Sequence, residues 1–95
     1  MTTLKIDGKD IRDHSGNRVG EIDGSVIRDK SGSRILEIDG QKFRNQSGSC
    51  VAELDSSGNI RDSSGRTIAT VRDIEKEVDG LSKTNKVATW VAFLK

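Results

Sequence analysis

Three glutamates at a 16-residue spacing, Glu21, Glu37 and Glu53, recur beside four arginines, Arg12, Arg28, Arg44 and Arg61. Carboxylates held close together can act as general acid and base in hydrolysis. Interleaved with guanidinium groups, the same carboxylates make a ring suited to a small anion or a glycan. Because one repeat generates all seven residues, cross-strand ion pairs on a partly solvated face account for them without catalysis. Evenly spaced Asp and Gly also invite a calcium reading. Each turn, however, offers only one or two carboxylates, and neighbouring turns fall at opposite ends of the hairpins. His14, the sole histidine, holds a turn-tip position taken by Lys30, Gln46 and Ser63 in the other copies, so it is expected to face solvent. A lone histidine supplies neither a zinc cluster nor a Ser/His/Asp triad. Cys50 is the only cysteine, which excludes an internal disulfide and leaves a thiol with no neighbouring base in the sequence. The sequence therefore predicts no catalytic, cofactor-binding or metal-ligating residue.

The elements that position these side chains follow from the repeat. Ile11, Ile27, Phe43 and Ile60 are spaced by 16, 16 and 17 residues, the extra residue falling in Ser56-Ser57-Gly58-Asn59. The arginine follows each of them, then Asp13, Asp29, Asn45 and Asp62, then a Ser-Gly pair. A short fixed period means one supersecondary unit stacked on copies of itself. The Arg-Asp-x-Ser-Gly run suits a type I turn whose Asp binds the backbone ahead, with Gly left-handed in the bulge that follows. Asp23-Gly24 and Asp39-Gly40 suit two-residue hairpin loops. With Asp23-Gly24 as the loop, Ile22 opposes Ser25 and Gly20 opposes Ile27. One face then carries Gly20, Ile22, Ile27, Leu36, Ile38, Phe43, Ala52, Leu54, Ile60, Ala69 and Val71 as the core. The other mixes Val19, Ile35, Val51 and Ile68 with the Glu/Arg set and is expected to be half exposed.

The motif Ile-Arg-Asp-x-Ser-Gly-x-x-Ile-x-Glu-Ile-Asp-Gly, as in Ile11 to Gly24 and Ile27 to Gly40, resembles the short bacterial repeats of the four-fold β-flower proteins, whose biochemical role is uncharacterised. The resemblance covers about residues 4–71, with the apolar tail similar to that family's C-terminal end. It implies hairpin petals about a pseudo-four-fold axis and carries over no catalytic residue. Many members have an aromatic where this chain has Gly20, Leu36 and Ala52.

The predicted organisation is all-β: a hairpin-repeat domain over residues 1–71, a polar connector over 72–83, and an apolar C-terminal segment over 84–95. Leu4 to Gly8 aligns with Leu36 to Gly40, so the chain opens in the second half of a repeat, leaving one strand without its usual partner. In the tail, Val87, Trp90, Val91 and Leu94 have helical spacing, with Thr84 or Asn85 as cap, although Val87, Val91 and Phe93 also share a strand parity. Helix is the reading adopted, with strand as its rival. The tail holds Trp90 and Phe93, two of only three aromatics. It serves as a cap over the repeats or as a plug shared with a partner.

At 95 residues and 32% hydrophobic content the core is small, and self-association would add burial. A formal charge of +1 with interspersed signs argues against a nucleic-acid footprint. No run is long enough to span a bilayer and no signal peptide precedes the repeats, so cytoplasmic residence is the default expectation. The sequence thus points to a non-enzymatic structural or interaction module without cofactor, either a homo-oligomer or a binder of protein partners. Trp90, Val91, Phe93 and Leu94 are its contact candidates, and the alternative is a small-anion or glycan binder built on the Arg/Glu ring.

Overall fold

Each Arg-Asp-x-Ser-Gly segment closes on its own side chain. In the second copy, Asp29 Oδ1 accepts from the backbone N–H groups of Ser31 and Ser33 at 2.9 and 3.0 Å. Gly32 N–H donates to Asp29 O at 3.0 Å, Asp29 N–H donates to Ser33 O at 2.9 Å, and Gly32 sits at φ 90°. That is a type I turn completed by a left-handed glycine bulge, as the sequence predicts. Asn45 does the same in the third copy, accepting from Ser47 N–H and Ser49 N–H at 2.9 and 3.1 Å.

These turns link the strands of a computed structural model that describes residues 3–80 and 82–94. Met1, Thr2, Leu81 and Lys95, which belong to the three segments read from the sequence, lie outside the described residues. The strands are β1 (Leu4–Asp7), β2 (Asp10–Asp13), β3 (Arg18–Asp23), β4 (Val26–Asp29), β5 (Arg34–Asp39), β6 (Lys42–Asn45), β7 (Cys50–Leu54), β8 (Asn59–Asp62), β9 (Thr67–Thr70) and β10 (Val78–Asp79). Two helices, α1 (Val71–Glu75) and α2 (Lys83–Phe93), complete the chain. The strands form one sheet in the order β10-β1-β2-β3-β4-β5-β6-β7-β8-β9, an antiparallel meander except where β10 joins β1 in parallel. The partner that the opening strand lacks in sequence is thus supplied by residues near the other end of the chain.

The tight loops lie one residue later than expected. Asp23 pairs with Val26, Ile22 with Ile27 and Glu21 with Arg28, so the loop is Gly24-Ser25. Gly24 has φ 63° and, among the described residues, no non-glycine residue has positive φ, the signature of a type II′ turn with Gly first. An Asp-Gly type I′ loop would have needed a left-handed Asp23. The face assignment survives, because moving the loop by one residue changes the pairing by two and returns each side chain to its side. Ile11, Ile22, Ile27, Leu36, Phe43, Ala52, Leu54 and Ile60 are all buried on the inner face. Val19, Ile35, Val51 and Ile68 are half-buried and pack against this core. Each occupies a bulge: Ile27 pairs with Leu36 and Arg28 with Arg34, leaving Ile35 as the extra residue.

The fourth hairpin, β7–β8, replaces the tight loop with a second Asp-capped turn. Asp55 Oδ1 accepts from Ser57 N–H and Asn59 N–H at 2.9 Å each, and Gly58 has φ 88°. This is where the repeat gains its extra residue.

The stretch read as a polar connector carries two elements and two fully buried side chains, Ile74 and Val78. Thr70 caps α1 through a reciprocal pair: Asp73 N–H donates to Thr70 Oγ1 at 3.2 Å and Thr70 N–H donates to Asp73 Oδ2 at 3.4 Å. α1 packs against both β9 and β10, the two ends of the strand order. The tail is helical, and its cap is Ser82, whose hydroxyl accepts from Asn85 N–H at 3.2 Å; neither Thr84 nor Asn85 caps it. α2 lies over β4, β5, β7 and β10 and places Val87, Ala88, Thr89 and Val91 in the interior.

Candidate functional site

The repeat arginines are struts. Arg28 Nη1 donates to Gly32 O at 3.0 Å in the turn ahead, while its Nε lies 3.6 Å from Asp23 in the turn behind. Arg44 joins Gly48 O at 3.1 Å to Asp39 at 3.1 Å, and Arg61 joins Gly65 O at 3.1 Å to Asp55 at 3.2 Å. Arg12 joins Gly16 O at 3.0 Å to Asp7 at 3.8 Å and adds Asp10 at 3.1 Å. Each guanidinium therefore ties the two ends of its strand together. With side chains 32–41% exposed, these pairs are solvent-screened and contribute about 0–1 kcal/mol each.

The glutamates stand directly opposite the arginines in register, Glu21 to Arg28, Glu37 to Arg44 and Glu53 to Arg61. The guanidiniums nevertheless turn to the turn aspartates, and Glu21 is held instead by Arg18 at 3.7 Å. The ring exists as a row of alternating charge in which each arginine spends part of its N–H donors on turn oxygens.

The first hairpin breaks this row. Lys5 stands where the later hairpins carry glutamate, and it faces Arg12 directly. A cavity of about 410 Å³ opens there, lined by residues that include Thr3, Lys5, Asp7, Arg12, Asp13 and His14. Asp13 Oδ1 accepts from Asn17 N–H and Ser15 N–H at 2.9 Å each, and these backbone donors hold its carboxyl below the ordinary aspartate value. Among the described residues, the Lys5 ammonium makes no hydrogen bond or ion pair. His14 is exposed at its turn tip, as predicted.

The tail residues sit apart from this cavity, on α2. Val91 is buried, whereas Trp90, Phe93 and Leu94 pack on the core but stay half-buried. The Phe93 ring covers Gly20, where an added Cβ would come within 2.7 Å of Phe93 Cζ and 2.7 Å of the Arg28 carbonyl oxygen. The buried Thr89 hydroxyl has no hydrogen-bond partner among the described residues. Among the described residues, no group of three or more His, Cys, Asp or Glu is placed to hold a metal. Nor is any helix among them long and apolar enough to cross a membrane.

With this geometry in hand, the family model for 5-fold beta-flower proteins matches residues 1–91. The chain belongs to that family. No curated protein and no solved structure matches it. The beta-flower resemblance read from the motif is correct at the level of the family, and the repeat number is corrected from four to five. The ten strands supply five pairs: β2–β3, β4–β5, β6–β7 and β8–β9 are joined by the Arg-Asp-x-Ser-Gly signature or its Asn variant, and β10–β1 is the fifth. In this beta-flower the fifth pair is formed by β10 and β1 with α1 leading into it, and residues 71–80 lack the Ser-Gly turn of the motif. Lys5 went unnoticed among the candidates, although the alignment of Leu4 to Gly8 with Leu36 to Gly40 puts it in the glutamate column.

Proposed function

We propose that this beta-flower is a non-catalytic interaction module that self-associates through the outer side of α2. The observation that supports it is the state of the tail, the most apolar segment of the chain. After α2 has covered its own sheet, Trp90, Ala92, Phe93 and Leu94 remain half-buried and adjacent. Aromatic side chains with one face packed and the other open are the usual anchors of protein contacts. A second copy presenting the same patch would supply burial that a chain of this size otherwise lacks. The lone free Cys50 is compatible with a reducing, cytoplasmic setting.

Sedimentation of the full chain over a range of concentrations tests this. Wild type is expected to form a discrete oligomer, and Trp90→Gln to fall to monomer with unchanged circular dichroism. Removing α2 outright would take Val87, Ala88 and Val91 from the core, so the point substitution is the cleaner probe. A wild type that stays monomeric at every concentration overturns the proposal.

A further inference from the structure

We infer that the β1–β2 hairpin binds a small oxyanion, a phosphate or a carboxylate, at Lys5 and His14 within the field of Arg12. The three later hairpins serve as controls inside the same molecule. Each sets a glutamate opposite the repeat arginine, whereas here Lys5 opposes Arg12 on one side and stands in register with Asp79 of β10 on the other. Arg12 already has Asp10 at 3.1 Å and Asp7 at 3.8 Å, so a bound anion would act chiefly on Lys5.

Of the two carboxylates in the cavity wall, Asp13 is occupied by its own turn and Asp7 faces Arg12. Asp7 lies 3.8 Å from Arg12, and both Asp13 oxygens accept hydrogen bonds within their own turn, from Ser15 N–H, Asn17 N–H and the Asn17 amide. The Thr3 hydroxyl is taken by the Glu77 carboxylate. Arg12 already donates to Gly16 O and Asp10 and lies 3.8 Å from Asp7, so it plays a secondary part. What remains is the Lys5 ammonium, which has three donors and no partner among the described residues, and the His14 imidazole. The cavity, at about 410 Å³, falls within the size range of small-molecule sites. An oxyanion accepting from a lysine and an imidazole gains charge-assisted hydrogen bonds. The site is separate from the self-association surface on α2 and does not depend on it.

The test is a backbone amide NMR titration of the full chain with inorganic phosphate and, separately, with acetate, at constant ionic strength. Saturable shifts confined to the β1–β2 hairpin and its turn are expected for at least one anion, and the anion that saturates identifies the class. Lys5→Glu, which restores the pattern of the later hairpins, should weaken binding by roughly tenfold or more, the scale of one lost charge-assisted contact. Lys5→Gln should also weaken it, and Arg28→Ala should leave it unchanged. Shifts that never saturate with either anion, shifts spread equally over all the hairpins, or wild-type affinity in both Lys5 variants would each overturn the inference.

Discussion

The turns of the repeat and the helix that covers them obey different rules. A turn such as Asp29 to Ser33 makes its own hydrogen bonds within five residues, and the same geometry recurs at Asp13, Asn45, Asp55 and Asp62 regardless of the strands it joins. α2 has little of its own beyond the Ser82 cap, and it is held by the surface it covers, from Gly20 beneath Phe93 to the interior around Val87 and Val91. Locally determined structure can be copied along a chain, whereas α2 fits one place. The inner positions show the consequence. Gly20, Leu36, Ala52 and Ala69 are equivalent in the repeat yet differ in size, because one asymmetric helix lies over a pseudo-symmetric sheet.

The sharpest way to break that contrast is Gly20→Ala. The new methyl meets both a ring and a backbone oxygen at 2.7 Å, so a loss of about 1–3 kcal/mol is expected in denaturant unfolding. A change in Trp90 fluorescence would show α2 shifting at the same time. Leucine is already accommodated at the equivalent position 36, so Leu36→Ala should leave room where Gly20→Ala creates a clash.

A smaller effect is expected in the turns. Asp29→Ala leaves the Ser31 and Ser33 N–H groups without their acceptor and should cost about 1 kcal/mol. Asp29→Asn should be nearly neutral, since Asn45 already makes the same bonds. Equal losses in the two variants would show that the charge, and not the acceptor geometry, holds these turns.

The mildest effect is on acid stability. The backbone donors of Asn17 and Ser15 lower the pKa of Asp13, and those of Asn59 and Ser57, with Arg61, lower that of Asp55. A carboxyl titrating lower when folded than when unfolded stabilises the fold above the unfolded value of about 3.9, and that contribution is lost as pH falls through the folded value. Replacing Asp13 and Asp55 together with Asn should therefore flatten the pH dependence of thermal unfolding below about pH 4 while leaving it unchanged near neutrality.

The same division explains what was legible in the sequence. Turn type, strand order among the repeats and the two faces could be read because Asp, Ser and Gly at fixed offsets dictate them locally. The tight loop was misplaced by one residue, because Asp-Gly fits a type I′ loop as readily as Gly-Ser fits type II′, and only the backbone torsions distinguish them. The fifth pair was invisible because β10 reaches β1 through α1 and long-range packing of Ile74 and Val78 in place of a repeated turn. The tail's helix was balanced against a strand because its apolar residues fit both periods; Ser82 and the inner face of the sheet decide it. Among the site residues, the arginines were found but not their partners. Register put glutamate opposite, while side-chain reach favoured the aspartates at the strand ends.

The parallel pairing of Leu4 with Val78 has a bearing on how the molecule is made. Every other strand pair joins neighbours in sequence, so those contacts close short loops and can form early. The β1–β10 pair spans most of the chain, and closing so long a loop carries a larger entropic cost. During synthesis β1 therefore keeps one edge open until α1 and β10 have left the ribosome.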